Sequence, residues 1–146
     1  MFNKILLPVD GSEPAMRALA VAADVAGRYD AEMAVICVYR HHSPLESSLS
    51  MVRATDPSPP DKALSEHARE VVRVAAEELG RLGASKVRTM VKRGPPARTI
   101  VNVARDENFD LIVLGSRGLG DVEGFLLGSV SHKVTSLASC PCLTVK

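Results

Sequence analysis

The stretch Leu111-Ile112-Val113-Leu114-Gly115-Ser116-Arg117-Gly118, followed after nine residues by Gly128-Ser129, decides how this chain is read. A short apolar run leads into a glycine-rich turn, and a helical pattern from Val130 to Ala138 comes next. Strand, glycine loop and helix N-terminus in that order build a seat for phosphate. Glycine permits positive φ and lets the backbone approach a ligand with no Cβ in the way. The loop's N–H groups form an anion-binding concavity, and the helix start adds orphan donors and a favourable dipole. A nucleotide is the first candidate ligand.

Working outward, Ile5 to Val9 and Met33 to Val38 are also short and continuously apolar. Continuous rather than alternating character predicts strands covered on both faces, as in a parallel sheet. Cys142 to Val145 is a fifth, terminal strand, and Lys86 to Lys92 alternates in the manner of an edge strand. In the latter, Val87, Thr89 and Val91 share one side, with Arg88 and Lys92 on the other. Helical stripes fill the gaps. Ala15, Ala18, Leu19, Ala22, Val25 and Ala26 make the first, with Ser12 as N-cap. Leu64, Ala68, Val71, Val72, Ala75, Leu79 and Leu82 make the second, ended by Gly83. Ala97, Ile100, Val101 and Ala104 follow Pro95-Pro96, and Val130, Val134, Leu137 and Ala138 complete the set.

Alternating strand and helix is the pattern of an α/β sheet built from right-handed crossovers. Ligands of such sheets bind beyond the carboxyl ends of the strands, where the strand order reverses. Asp10-Gly11-Ser12 and the Gly115 loop are the two carboxyl-end loops with the strongest turn chemistry. They face one another across one crevice if the first and fourth strands are neighbours. The segment from 40 to 61 carries Pro44, Pro57, Pro59 and Pro60 and reads as a long irregular loop. Leu45, Leu49 and Val52 permit one short amphipathic helix inside it, and loops of this length serve as lids or interaction surfaces.

Composition narrows the classes. A chain of 146 residues reads as one domain able to bury a core without disulfides or metal. Net charge is +1 and aromatic content 3%, so neither a basic footprint nor base-stacking platforms support nucleic-acid binding. No apolar run reaches membrane-spanning length and no signal peptide fits the N-terminus, so a cytoplasmic protein without membrane insertion is expected. Three cysteines give no disulfide framework. Cys140-Pro141-Cys142 can be read as a redox or metal pair, but it lacks C-x-x-C spacing and a second ligand cluster, which favours a structural role.

The chain resembles a universal stress protein over its whole length. The resemblance rests on Gly115, Gly118, Gly128 and Ser129, which match G-x2-G-x9-G-[ST] with the spacing intact. The opening Ile5-Leu6-Leu7-Pro8-Val9-Asp10-Gly11-Ser12 and the closing Cys140-Pro141 before an apolar strand add to it. The resemblance implies a single doubly wound, five-stranded parallel sheet of order 3-2-1-4-5 with helices on both faces. That is an adenine-nucleotide α-hydrolase-like fold, in which the first and fourth strands are neighbours. It also implies bound ATP, or AMP or ADP, with Mg²⁺. Pro8, Val9 and Asp10 would line the adenosine end, with the Asp10 carboxylate near ribose or a metal. Val38 would lie against adenine. Leu114, Gly115, Arg117 and Gly118 would wrap ribose and phosphates, and Gly128, Ser129, Val130 and Ser131 would meet the phosphate tail.

Each role has a plainer competitor. Asp10-Gly11-Ser12 also makes a turn and helix cap, Ser129 is a natural N-cap, Val38 suits a core, and Arg117 suits a solvated surface. Asp121 and Glu123 lie in the nine-residue stretch and would repel a triphosphate unless they point outward or help hold Mg²⁺. His41-His42-Ser43-Pro44-Leu45 through Met51-Val52-Arg53 is similar to a segment of family members associated with membrane transporters, which makes a transporter a candidate partner. The two adjacent histidines lack a third metal ligand, and like His67 and His132 they read as surface residues.

The leading functional expectation is an ATP-binding regulatory protein of the stress response, paired as a homodimer or higher oligomer through Cys142 to Val145. A slow ATP hydrolase or nucleotidyl transferase is the enzymatic alternative, without a G-x4-G-K-[ST] loop or a Ser-His-Asp pattern to support it. An interaction module that binds no nucleotide is the third reading.

Overall fold

The structure is a computed structural model that describes residues 1–40, 59–119 and 127–146, with no side-chain surroundings for 59 and 60. Five strands and four helices alternate: β1 (Lys4–Pro8), α1 (Glu13–Tyr29), β2 (Glu32–Tyr39), α2 (Pro59–Arg81), β3 (Val87–Arg93), α3 (Pro96–Asp106), β4 (Leu111–Gly115), α4 (Ser129–Leu137) and β5 (Cys142–Val145). The sheet is parallel in order β3-β2-β1-β4-β5. β1 is central, with Ile5 opposite both Met33 of β2 and Leu111 of β4. The chain builds outward from β1 to β3, then returns to the other flank of β1. The order therefore reverses between β1 and β4, and β3 is an edge as its alternation predicts.

Both faces of the sheet are covered, which is why its central strands are apolar without alternation. Ile5, Leu7, Val35 and Val113 pack with Ala18, Leu19 and Ala22 of α1 and with Ala68, Val72, Ala75 and Leu79 of α2. Leu6, Ala34, Ile36 and Ile112 face the opposite way, onto Ala97, Ile100 and Ala104 of α3 and Val134 of α4. Burying each such aliphatic side chain contributes about 1.5–3 kcal/mol.

Helix starts follow local chemistry. Ser12 caps α1, its Oγ accepting from the Ala15 N–H at 3.4 Å and its carbonyl from the Met16 N–H at 3.0 Å. α2 begins at Pro59, inside the segment expected to be irregular up to 61. Two prolines read as breakers instead occupy the first turn, where no intrahelical N–H is needed. The stripe of α2 is also narrower than its sequence suggests, because Leu64 is 38% exposed and Leu82, beyond the helix end, 44%. Leu137 of α4 is exposed as well. The possible helix around Leu45, Leu49 and Val52 lies outside the described residues. Among those described, no helix is long and apolar enough to cross a membrane.

Candidate functional site

The carboxyl ends of β1 and β4 carry the two loops singled out in the sequence. After β1, Gly11 takes φ +84°, a turn that glycine adopts without strain. Asp10 Oδ1 accepts from the Ser12 N–H at 2.9 Å, closing an Asx turn over the start of α1. Its other oxygen, Oδ2, accepts from the Leu119 N–H at 3.0 Å, so the same carboxylate reaches the loop after β4. The turn reading and the crevice reading of Asp10 are thus compatible in one side chain.

The loop from Gly115 to Leu119 is held at several points. The Ser116 N–H donates to the Val145 carbonyl at 2.7 Å, and the Ser116 carbonyl accepts from the Gly128 N–H at 2.6 Å. The buried Ser131 hydroxyl donates to the Gly115 carbonyl at 2.6 Å. β5, the start of α4 and the first-strand turn therefore fix one short segment. Ser116 is 3% exposed and bonded through its backbone on both sides, a role that its place inside the motif did not signal.

The motif glycines act differently from expectation. None of the positive φ values found among described glycines belongs to Gly115 or Gly128; they belong to Gly11, Gly83 and Gly94. A Cβ on Gly115 would lie 2.7 Å from both the Ala15 N and the Pro14 carbonyl carbon. Gly115 is small so that α1 can close on β4, a packing demand. Gly128, with φ −71° and ψ 170°, is the N-cap of α4, the place expected for Ser129. Glycine is accepted there, which moves Ser129 into the first turn.

Between these loops lies a cavity of about 340 Å³. Pro8, Val9 and Asp10 line it from β1, Val38 from β2, and Leu114, Gly115, Arg117 and Gly118 from β4 and its loop. Ser129, Val130 and Ser131 line it from the first turn of α4. Gly128 is buried beside these and is not part of the wall. The sequence reading missed Ala15, Ile36, Arg40, Pro96, Ile100 and Leu119. Ile36 and Arg40 stand two residues either side of Val38, Arg40 just past the end of β2, and that period is a usable signal. Pro96 and Ile100 reach the cavity only because α3 packs beside β2, which no local pattern encodes.

Among the described residues, Arg40 and Arg117 oppose a single lining carboxylate, Asp10. Among the described residues no ion pair engages either guanidinium. The first turn of α4 brings Ser129, Val130 and Ser131 and the positive end of its dipole to the same space. Apolar walls at the β2 side and donors at the β4 side suit a ligand with a flat apolar end and an anionic end.

The other chemistry-bearing residues stand apart. Cys37, Cys140 and Cys142 are free thiols, and burial raises the pKa of all three. Among the described residues no three His, Cys, Asp or Glu side chains gather as a metal site. His67 and His132 are exposed. His41, His42, Asp121 and Glu123 lie outside the described residues.

The sheet order together with a crevice at its reversal point defines an adenine-nucleotide α-hydrolase-like fold. The universal stress protein family matches residues 1–146, and the chain belongs to that family. Universal stress protein YxiE of Bacillus subtilis (strain 168) is 35% identical over 149 residues, covering 100% of both chains. Universal stress protein UspA from Lactobacillus plantarum superposes with a TM-score of 0.84 at 26% identity, over 99% of this chain and 98% of that one. A universal stress protein crystallised in complex with cAMP has a TM-score of 0.75 at 25% identity, over 99% and 97% of the two chains.

Proposed function

We propose that this chain is an adenine-nucleotide-binding regulatory protein whose ligand occupies the crevice between the β1 and β4 loops. The observation that carries the reading is the convergence of distant stretches, residues 8–10, 38, 114–115, 117–119 and 129–131, on one cavity of about 340 Å³. That volume lies within the range of small-molecule sites. The relative crystallised with cAMP supports the same ligand class.

In this reading the base lies against Val38 and the apolar walls beside it, and ribose lies by Pro8, Val9 and Asp10. The phosphates meet the Gly115 to Gly118 backbone, Arg117 and the first turn of α4. ATP is the preferred ligand, with ADP and AMP sharing the adenosine end. Both Asp10 oxygens accept backbone N–H groups, and no protein cluster for a divalent ion exists among the described residues. Magnesium therefore fits as an ion carried in on the phosphates. Ligand binding acts by favouring one conformation or assembly over another. The open edge of β5 offers a pairing surface for a second copy, and a transporter remains the candidate partner for the segment from 41 to 53.

The test is release of any copurifying small molecule by denaturation and mass spectrometry, followed by calorimetric titration with ATP, ADP, AMP and cAMP with and without Mg²⁺. Recovery of an adenine nucleotide near one per chain, or saturable binding at that ratio, is the expected result. Protein that is empty and also takes up none of the added nucleotides would reject the reading.

A further inference from the structure

The cavity has a cation at the end where a base, not a phosphate, would lie. Ile36 and Val38 of β2 and Arg40, one residue past its end, stand at alternate positions, and all three line the cavity. Their exposure rises outward, from the fully buried Ile36 through the half-buried Val38 to the exposed Arg40. Pro96 and Ile100 of α3 line the same cavity, and Ile100 packs in one apolar cluster with Ile36 and Val38. An apolar slot between strand and helix thus opens at a guanidinium. Arg117 belongs to the other end, two strands away on the β4 loop.

We infer that Arg40 is a binding residue for the base: its planar guanidinium covers the outer part of a purine held between the β2 stripe and the start of α3. The inference rests on the nucleotide reading of this cavity. A guanidinium stacks on aromatic faces through both its plane and its charge. No ion pair among the described residues holds Arg40 elsewhere, so closing on a base breaks no existing bridge. Tyr39, the other residue at this strand end, packs on the opposite side of the sheet with the α1 and α2 core. Arg40 is therefore the polar group that β2 presents to the base end.

The experiment compares wild type with Arg40→Ala, Arg40→Lys and Arg117→Ala in titrations with adenosine, AMP and ATP at low and high salt. Arg40→Ala is expected to weaken all three ligands by a similar factor of about fivefold, little changed by salt. Arg40→Lys should recover only part of that loss, because the planar group is gone. Arg117→Ala should spare adenosine and weaken AMP and ATP increasingly. Arg40 is exposed, so unchanged melting temperatures accompany these results. A wild type that binds the nucleotides while Arg40→Ala matches it overturns this inference alone. A loss at Arg40 that grows from adenosine to ATP and fades in high salt also overturns it, in favour of charge steering. A wild type that binds none of the three ligands overturns the nucleotide reading and the inference with it.

Discussion

Asp10 and Leu119, 109 residues apart in sequence, are joined by a 3.0 Å hydrogen bond from the Leu119 N–H to the Asp10 carboxylate. The other carboxylate oxygen holds the Ser12 N–H at 2.9 Å. One side chain therefore ties the first-strand turn to the glycine loop, and the two walls of the crevice are set relative to each other through it.

Asp10→Asn tests this tie. An amide offers one acceptor oxygen where the carboxylate offers two, so only one of the two N–H groups keeps its partner. Hydrogen bonds to charged groups contribute about 1.5–3 kcal/mol when shielded, and the partial exposure of this pair puts the expected loss at the low end. Hydrogen exchange should speed up at Leu119, with a smaller change at Ser12, while the core strands stay protected. Unchanged protection at Leu119 would mean the tie is not what positions the loop.

Ser131→Ala probes the second anchor of that loop. The Ser131 hydroxyl is buried and donates to the Gly115 carbonyl at 2.6 Å, joining α4 to the end of β4. Its removal leaves a buried carbonyl without this donor, at about 1–3 kcal/mol. Thr135→Ala is the comparison, because the Thr135 hydroxyl bonds carbonyls of its own helix, Ser131 and His132. Thermal unfolding should show a clear drop for Ser131→Ala and a small one for Thr135→Ala. Equal drops would mean that the Ser131 bond to Gly115 contributes no more than a hydroxyl bonded within its own helix.

Much of this fold was legible because its strands are apolar on both faces. Ile5 to Val9 and Leu111 to Leu114 are continuously apolar, which marks buried parallel strands, and Ser12 is the cap its position predicts. The strand order came only with the family resemblance, since periodicity carries no information on which strands pair. Pro59 and Pro60 were misleading because proline breaks a helix interior yet suits its first turn. At the site, glycine spacing located the loop but not the reason for each glycine. Gly115 answers to the backbone of Pro14 and Ala15, which lie a hundred residues earlier and come into contact only in the folded protein. Pro96 and Ile100 were invisible for the same reason.

That contact makes Gly115→Ala a test of packing separate from ligand chemistry. The new methyl would meet backbone atoms at 2.7 Å on the side of α1, and backbone cannot swing aside as a flexible side chain does. Overpacking of this kind costs about 1–3 kcal/mol. Gly27→Ala in α1 is the opposite case: nothing lies within 4 Å of its added Cβ, and the position is helical. That exchange should stabilise by up to about 1 kcal/mol. The two single variants should shift the melting temperature in opposite directions, measured without nucleotide. A neutral Gly115→Ala would show that α1 can slide off β4 at no cost.

The thiols supply a prediction on pH. Burial pushes Cys37 up to about 11 from 9.0, with the Asp10 charge adding to it, and burial likewise pushes Cys142 up to about 11, with Cys140 adding. A thiol is neutral when protonated, so the raised values mean that the folded state holds its protons to higher pH than the unfolded state does. Folding stability from this source is complete below pH 9 and declines as pH rises between about 9 and about 11. At pH 7.5 the folded protein should carry about a hundredfold less thiolate at these positions than unfolded chain, since the thiolate is the reactive form. Iodoacetamide labelling followed by peptide mass spectrometry should leave Cys37 and Cys142 unmodified in native protein and modify both in denaturant. Chemical denaturation from pH 8 to 10.5 should show stability falling, and Cys37→Ala should flatten part of that fall. Rapid native labelling of Cys37 at neutral pH would instead mean that β2 opens to solvent next to the cavity.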